Sequence, residues 1–495
     1  MIPTFNARSN DFASYISADN VIGGQVVKPS GSETRDVVNP RHGKAMSTVT
    51  FGTAADVDTA VKNAEKAFAD WSTWPIRERS QILYKARDIM LRDVEELAWL
   101  VSHENGKSYG EAKAEVLKGI ECLEYGCSLP NLAANESLEV SRGVNCEMRY
   151  EPLGVVAGVT PFNFPFMVPL WMLPQALAGG NAFILKPSEV VPLSALKIAA
   201  IFQEAGLPDG ILNIVQGGQE VVEALCDHPG IKAFGFVGST RVAKLVYGRA
   251  STAGKRALAL GGAKNHLIVV PDADVELTTE NVVASFSGCA GQRCMAASVL
   301  IAVGEVDHII EAVAAKTKKM VLGEHMGPVI TQAAVERITR YIDEAEKGGA
   351  TVLVDGRGAV GPTGGYWIGP TLLDHVTADM PAGCEEIFGP VLSILRVDTL
   401  EQAFGIENGN PYGNAAAIYT TSGHVAKVAM ERTSAGMCGV NIGVPVPREP
   451  FGFGGWNDSK FGHGNITGWD GFRFWTRPRK VTSKWALQKD WNWMA

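Results

Sequence analysis

A chain of 495 residues is too long for one hydrophobic core, so two or three domains are expected. With 46% hydrophobic and 20% charged residues and a net charge of −8, it has a globular protein's composition and no electrostatic reason to hold nucleic acid or a membrane. Eight cysteines over this length make no disulfide framework, residues 1–25 lack an apolar signal core, and the longest apolar stretch, 164–179, is cut by Pro165, Pro169 and Pro174, so a cytoplasmic protein is expected.

Thr53-Ala54-Ala55-Asp56 reads as a capping box opening a helix whose apolar face carries Val57, Val61, Ala64, Phe68 and Trp71. A longer helical pattern places Ile82, Leu83, Ala86, Ile89, Met90, Val94, Leu97 and Val101 on one side, and Gly106 stops it. Another helix covers 109–125. From Leu153 the rhythm becomes short apolar runs alternating with helical stretches. Residues 153–160, 182–186, 211–215, 232–237 and 266–270 read as buried strands, with helices over 194–205 and 221–226 between them. That alternation predicts a doubly wound parallel sheet, with ligands gathered beyond the carboxyl ends of its strands. A second alternating unit follows Cys294, with strands at 298–303 and 351–354, and the chain ends in a strand-like 480–485.

Gly356-Arg357-Gly358-Ala359-Val360-Gly361 has the spacing of a dinucleotide loop. It runs into Pro362-Thr363-Gly364-Gly365, which cannot open the helix that such a loop needs, so it reads as a surface turn. The nine histidines are scattered without metal-ligand spacing, and no metal site is expected. Cys294 stands out within Gly291-Gln292-Arg293-Cys294-Met295-Ala296, behind the small-residue run 286–290. A free thiol is only about 3% ionised at neutral pH, and the adjacent Arg293 is expected to favour the thiolate.

Five segments then fall into line: Thr160-Pro161-Phe162-Asn163-Phe164-Pro165, Lys186-Pro187-Ser188-Glu189, Phe236-Val237-Gly238-Ser239-Thr240, Gly291-Gln292-Arg293-Cys294 and Glu385-Glu386-Ile387-Phe388-Gly389-Pro390. In order and spacing they resemble the aldehyde dehydrogenase superfamily, over essentially the whole chain. The resemblance implies an α/β fold with a Rossmann-like NAD-binding domain (1–132 and 150–262), an α/β catalytic domain (263–474) and a small β oligomerisation element (133–149 and 475–495). It implies a homo-oligomer, dimer or tetramer. By the same resemblance Cys294 attacks the aldehyde, and Asn163 with the Cys294 backbone N–H holds the oxyanion. Lys186 and Glu189 grip the adenosine ribose, the carboxylate favouring NAD over NADP. Ser239 meets the pyrophosphate and Glu386 the nicotinamide ribose with Phe388 beside it, while Thr160, Phe162 and Gly261 complete the cofactor set.

Hydrolytic members carry a glutamate directly before Leu-Gly-Gly, where it arms water against the thioester. Here Ala259 precedes Leu260-Gly261-Gly262. Water is a poor nucleophile without a base or metal, whereas a thiol needs far less help, so coenzyme A is the expected acyl acceptor. Gly261-Gly262-Ala263-Lys264-Asn265-His266, Pro271-Asp272-Ala273 and 291–296 are similar to the CoA-acylating methylmalonate-semialdehyde dehydrogenases. That likeness implies a methylmalonate or malonate semialdehyde substrate, whose carboxylate Arg293 could pair bidentately. Lys118 stands where that branch has a second arginine. The alternative is a hydrolytic NAD-dependent enzyme for another aldehyde. A third reading, a retired enzyme kept as a binding protein, is opposed by the intact Cys294 and Asn163.

Overall fold

Strands Val155–Val159, Ala182–Lys186 and Ile231–Val237 lie parallel in the middle of one sheet, and almost every residue in them is buried. Continuous apolar runs of this kind suit strands covered on both faces. The computed structural model describes residues 12–133 and 136–485. Its first sheet has eight strands, continuing on one side through Leu212–Ile214 to the hairpin Asn20–Ile22 and Gln25–Val27. On the other side come Arg256–Leu260 and a short antiparallel strand, Lys460–Phe461. Trp71, Phe183, Phe234 and Trp475 are buried in its core. The chain thus returns to the first sheet after crossing the second, and 263–474 does not stay with one sheet.

The second sheet, with seven strands, runs in the order Thr351–Val354, Thr371–Asp374, Val391–Val397, Ala297–Val303, Asn265–Val269, Ala415–Tyr419 and Met437–Val440. The run read at 266–270 belongs here and not beside the strands that precede it. A third, antiparallel sheet sets Val144–Pro152 between Glu136–Ser141 and Thr476–Lys484, in register from Thr476↔Pro152 to Lys484↔Val144. Residues 134–135 and 486–495 of the expected oligomerisation element lie outside the described residues.

The capping box at Thr53 is present, with both the Thr53 and Asp56 side chains engaged, and it opens Ala54–Trp71. The long helix expected across 82–101 is two helices, Ile76–Arg92 and Val94–Asn105. Asp93 breaks it at φ −100°, ψ 12°, where its carboxylate turns back to Arg92. Short polar residues compete with the helical backbone for hydrogen bonds, which apolar periodicity does not register. Gly106 caps the second helix in the left-handed region, and Tyr109–Leu132 follows, extending well past the expected end at Tyr125. That helix packs against Met167–Ala178. The segment 356–361 is indeed without helix.

Candidate active site

A cavity of about 1040 Å³ opens between the first two sheets. The first sheet supplies the residues that follow its strands: Thr160 to Phe164 after Val159, Glu189 after Lys186, Ser239 after Val237, and Gly261 and Gly262 after Leu260. The second supplies residues that precede its strands: Cys294 before Ala297–Val303, and Glu386 and Phe388 before Val391–Val397. Segments far apart in the chain are brought to one space by this facing of strand ends.

On the first wall, Lys186 Nζ stands 3.0 Å from Glu189 Oε2. Burial works against the Glu189 charge, but Lys186 and the residue's own backbone N–H outweigh it and hold the carboxyl below its usual range. Thr160 is buried and its N–H donates to Lys186 O, tying the two loops together. Ser239 is the exposed N-cap of Thr240–Thr252, and its hydroxyl makes no capping bond. The first amides of that helix, with the Ser239 hydroxyl beside them, suit an anionic group. Thr240 Oγ1 accepts from Gly262 N at 2.7 Å, a contact that no sequence motif announces. Glycine at 262 leaves room for Glu386: a Cβ there would come 2.3 Å from Glu386 Oε2 and displace that carboxylate.

The second wall is strained. Cys289, Ala290 and Gly291 have φ of 53°, 52° and 67° in succession, and Phe388 has φ 54°. Such values cost energy for residues other than glycine and collect where surrounding structure over-determines them. At Gly291 a Cβ would meet Gly389 O at 2.0 Å, so the Cys294 and Glu386 loops touch backbone to backbone. Phe162 and Phe388 meet edge to face across the cavity, 5.7 Å between centroids. Asn163 is buried, and its Nδ2 donates to Gln292 O at 3.1 Å, two residues before Cys294. Asn265 Nδ2 and Asn414 Nδ2 both donate to Cys294 O at 2.8 Å and pin that residue's own peptide.

Glu386 Oε1 accepts from Ala263 N at 2.9 Å. Burial nevertheless raises its carboxyl to about 7, against that bond and the charges of Lys264 and Arg337. Cys294 departs from expectation. Burial pushes its thiol up to about 12, and the Glu386 charge adds to the rise. The N–H groups of Cys294 and Met295 and the charge of Arg293 oppose this without overcoming it. The expected thiolate is therefore not what this arrangement favours; a desolvated anion costs more than one nearby cation returns.

Arg293 and Lys118 are not among the cavity's lining residues. Arg293 Nη2 donates to Ala284 O at 2.6 Å and to Ser285 O at 2.9 Å, at the end of helix Val275–Ser287, while its buried Nε has no hydrogen-bond partner. Lys118 closes on Glu449 at 3.0 Å and Glu121 at 3.1 Å. No helix among the described residues is long and apolar enough to cross a membrane.

A sequence profile of the aldehyde dehydrogenase family matches residues 26–481. A malonate-semialdehyde dehydrogenase of Geobacillus kaustophilus is 46% identical over 475 residues, covering 94% of this chain and 98% of that protein. The crystal structure of a methylmalonate-semialdehyde dehydrogenase from Oceanimonas doudoroffii superposes with a TM-score of 0.94 at 40% identity, over 96% of this chain and 99% of that one. A Sinorhizobium meliloti 1021 protein assigned to the methylmalonate-semialdehyde dehydrogenases and complexed with NAD superposes at 0.93 with 39% identity, over 97% of this chain and all of that one.

Proposed function

The chain belongs to the aldehyde dehydrogenase family, and on that footing we propose that it oxidises malonate or methylmalonate semialdehyde with NAD and passes the acyl group to coenzyme A. The observation that carries this reading is the joining of Cys294 and Asn163 in one cavity with the Lys186–Glu189 pair, while Ala259 stands where a hydrolytic base would be.

In this reading Cys294 gives its thiol proton to solvent, Sγ bonds to the aldehyde carbon, and the carbonyl π pair moves onto the oxygen to make an oxyanion. Asn163 Nδ2 and the Cys294 backbone N–H donate to that oxygen. The present bond from Asn163 to Gln292 O keeps the amide aimed at the nucleophile's loop. NAD held by Lys186, Glu189, Ser239 and Glu386 would supply the hydride acceptor, and loss of hydride from the carbon bound to Cys294 would turn the adduct into a thioester. The residues present fit such a dinucleotide: a charged pair at Lys186 and Glu189, a free hydroxyl at Ser239 above helix amides, and a glycine floor at 261–262 under Glu386. Thr160 and Phe162 shape the same wall, and Phe388 faces Phe162. The coenzyme A thiol would then attack the thioester, its proton passing to the departing Cys294 sulfur, and the substrate's carboxylate would leave as carbon dioxide while the carbon it leaves takes up a proton from solvent.

Arg293 is the residue we assign to the substrate carboxylate, which requires its guanidinium to turn from Ala284 O and Ser285 O into the cavity. Lys118, whose half-buried ammonium is taken by two glutamates, we assign to a structural ion pair with Glu449 and not to the substrate. The three-stranded sheet with its exposed Leu138 and Val140 we assign to homo-oligomer assembly. Eight free cysteines support a reducing, cytoplasmic setting.

One observation favours the hydrolytic alternative. Glu386 acts electrostatically on Cys294 and has its carboxyl raised to about 7, near the value of an effective base. The discriminating experiment measures NADH over many turnovers with and without coenzyme A. The proposal expects sustained turnover only with coenzyme A, and undiminished turnover without it would favour hydrolysis. In the same assay Arg293→Lys should raise KM for malonate semialdehyde by about tenfold but not for propanal, because lysine lacks the planar fork.

A further inference from the structure

The active-site walls lean on a polar cluster that the proposed reaction does not use. Lys107 and Glu115 form an ion pair with both side chains essentially inaccessible to solvent. Lys107 Nζ also donates to Asn163 O and lies 3.8 Å from the centre of the Phe164 ring. Glu115 Oε1 accepts from Phe166 N at 2.9 Å and Met167 N at 3.2 Å, where Met167–Ala178 begins. The loop carrying Asn163 is therefore held at its own carbonyl and again three residues later. The anchor is itself fixed, since Lys107 O accepts from Ser102 Oγ at 2.7 Å and Arg41 Nη2 at 3.2 Å.

One turn before Glu115 on the same helix, Glu111 does the same for the opposite wall. Its Oε2 completes a capping box with Ser108, and its Oε1 accepts from Cys289 N. Cys289 starts the left-handed run that leads into Gln292, Arg293 and Cys294. The head of helix Tyr109–Leu132 thus grips both loops that supply an oxyanion donor. Stability alone is a weak reason for a buried ion pair, since apolar residues of similar volume often serve as well or better.

We propose that Lys107 and Glu115, with Glu111, are positioning residues that hold the Asn163 amide and the Cys294 backbone N–H in register with each other. This rests on the reading of Asn163 as an oxyanion donor. Lys107 and Glu115 act through Asn163, and Glu111 acts through the loop before Cys294. Small displacements of reacting groups cost rate far more than binding, so the loss should fall on the acylation step and spare cofactor affinity.

The test is a double-mutant cycle between Glu115→Gln and Asn163→Ala, read by single-turnover NADH formation at saturating aldehyde and by NAD affinity from tryptophan quenching. Glu115→Gln should slow acylation about tenfold with NAD affinity changed less than twofold, and in the Asn163→Ala background its cost should shrink below threefold. Equal losses in both backgrounds would mean a merely structural role and would overturn the inference. Should Glu115→Gln not fold, the paired variant Lys107→Met with Glu115→Gln removes both charges and goes through the same cycle with the same criterion. If Asn163→Ala alone leaves acylation unchanged, the oxyanion assignment falls and this inference with it. If Asn163→Ala is slow and folded Glu115→Gln is not, only the inference falls.

Discussion

The two walls of the cavity handle charge in opposite ways. On the first, the Lys186–Glu189 pair meets at 3.0 Å and Lys186 supports the Glu189 charge, so the wall is ready for a polar ligand. On the second, Cys294 and Glu386 are both pushed toward their neutral forms, the thiol up to about 12 and the carboxyl to about 7, because burial strips water from each, and the Glu386 charge further opposes the thiolate. A binding wall benefits from charges satisfied in advance.

The sharpest way to break this contrast is Cys294→Ala. NADH formation should fall by a factor of about a thousand or more while NAD affinity stays within twofold by fluorescence titration, because the thiol is not among the groups proposed to hold the cofactor. Loss of both together would mean the walls are one unit. Asn163→Ala should lower the acylation rate about a hundredfold, the cost of one oxyanion donor, with little change in KM.

A smaller effect sharpens the contrast through pH. The Glu386 carboxyl is raised from its usual range to about 7, so it accepts hydrogen bonds as a full anion only above that pH. If it meets the nicotinamide ribose, NAD affinity should weaken about tenfold as pH falls from 8 to 6. Calorimetry would check this, and Glu386→Gln should flatten the profile. The smallest effect concerns the thiol. Alkylation of the ligand-free protein by iodoacetamide should keep rising to pH 10 without a plateau. Glu386→Gln, which removes a repelling charge, should speed it a few-fold at pH 8. A plateau near pH 8 would show that the thiol is not held back.

Much of the first wall is legible in the residue order itself. Its residues lie in short segments directly after apolar runs, and those runs are the buried strands at 155–159, 182–186 and 231–237. The capping box at Thr53 is equally local. The second wall is legible as a motif around Cys294 but not as chemistry. Arg293 sits next to Cys294 in sequence and turns its guanidinium to Ala284 and Ser285, so adjacency misjudges the thiol. Lys118 is readable as a charge, but Glu449, 331 residues on, claims it. Lys107 and Glu115 escape a reading of the sequence for the same reason. Their partners are Asn163, Phe166 and Met167, and two charged residues eight apart look like any solvated helix face.

Sequence alone determined the family, the strand–helix alternation, and which residue types stand at the loop positions, since these depend on apolar periodicity and on short contiguous motifs. Only the tertiary structure decided how those residues are charged and held. Protonation depends on how much water is excluded and which carboxylate or ammonium arrives from elsewhere in the chain. Cys294, Glu386 and the Lys107–Glu115 pair each take their character from neighbours that the folding of separate segments brings into a low-dielectric space.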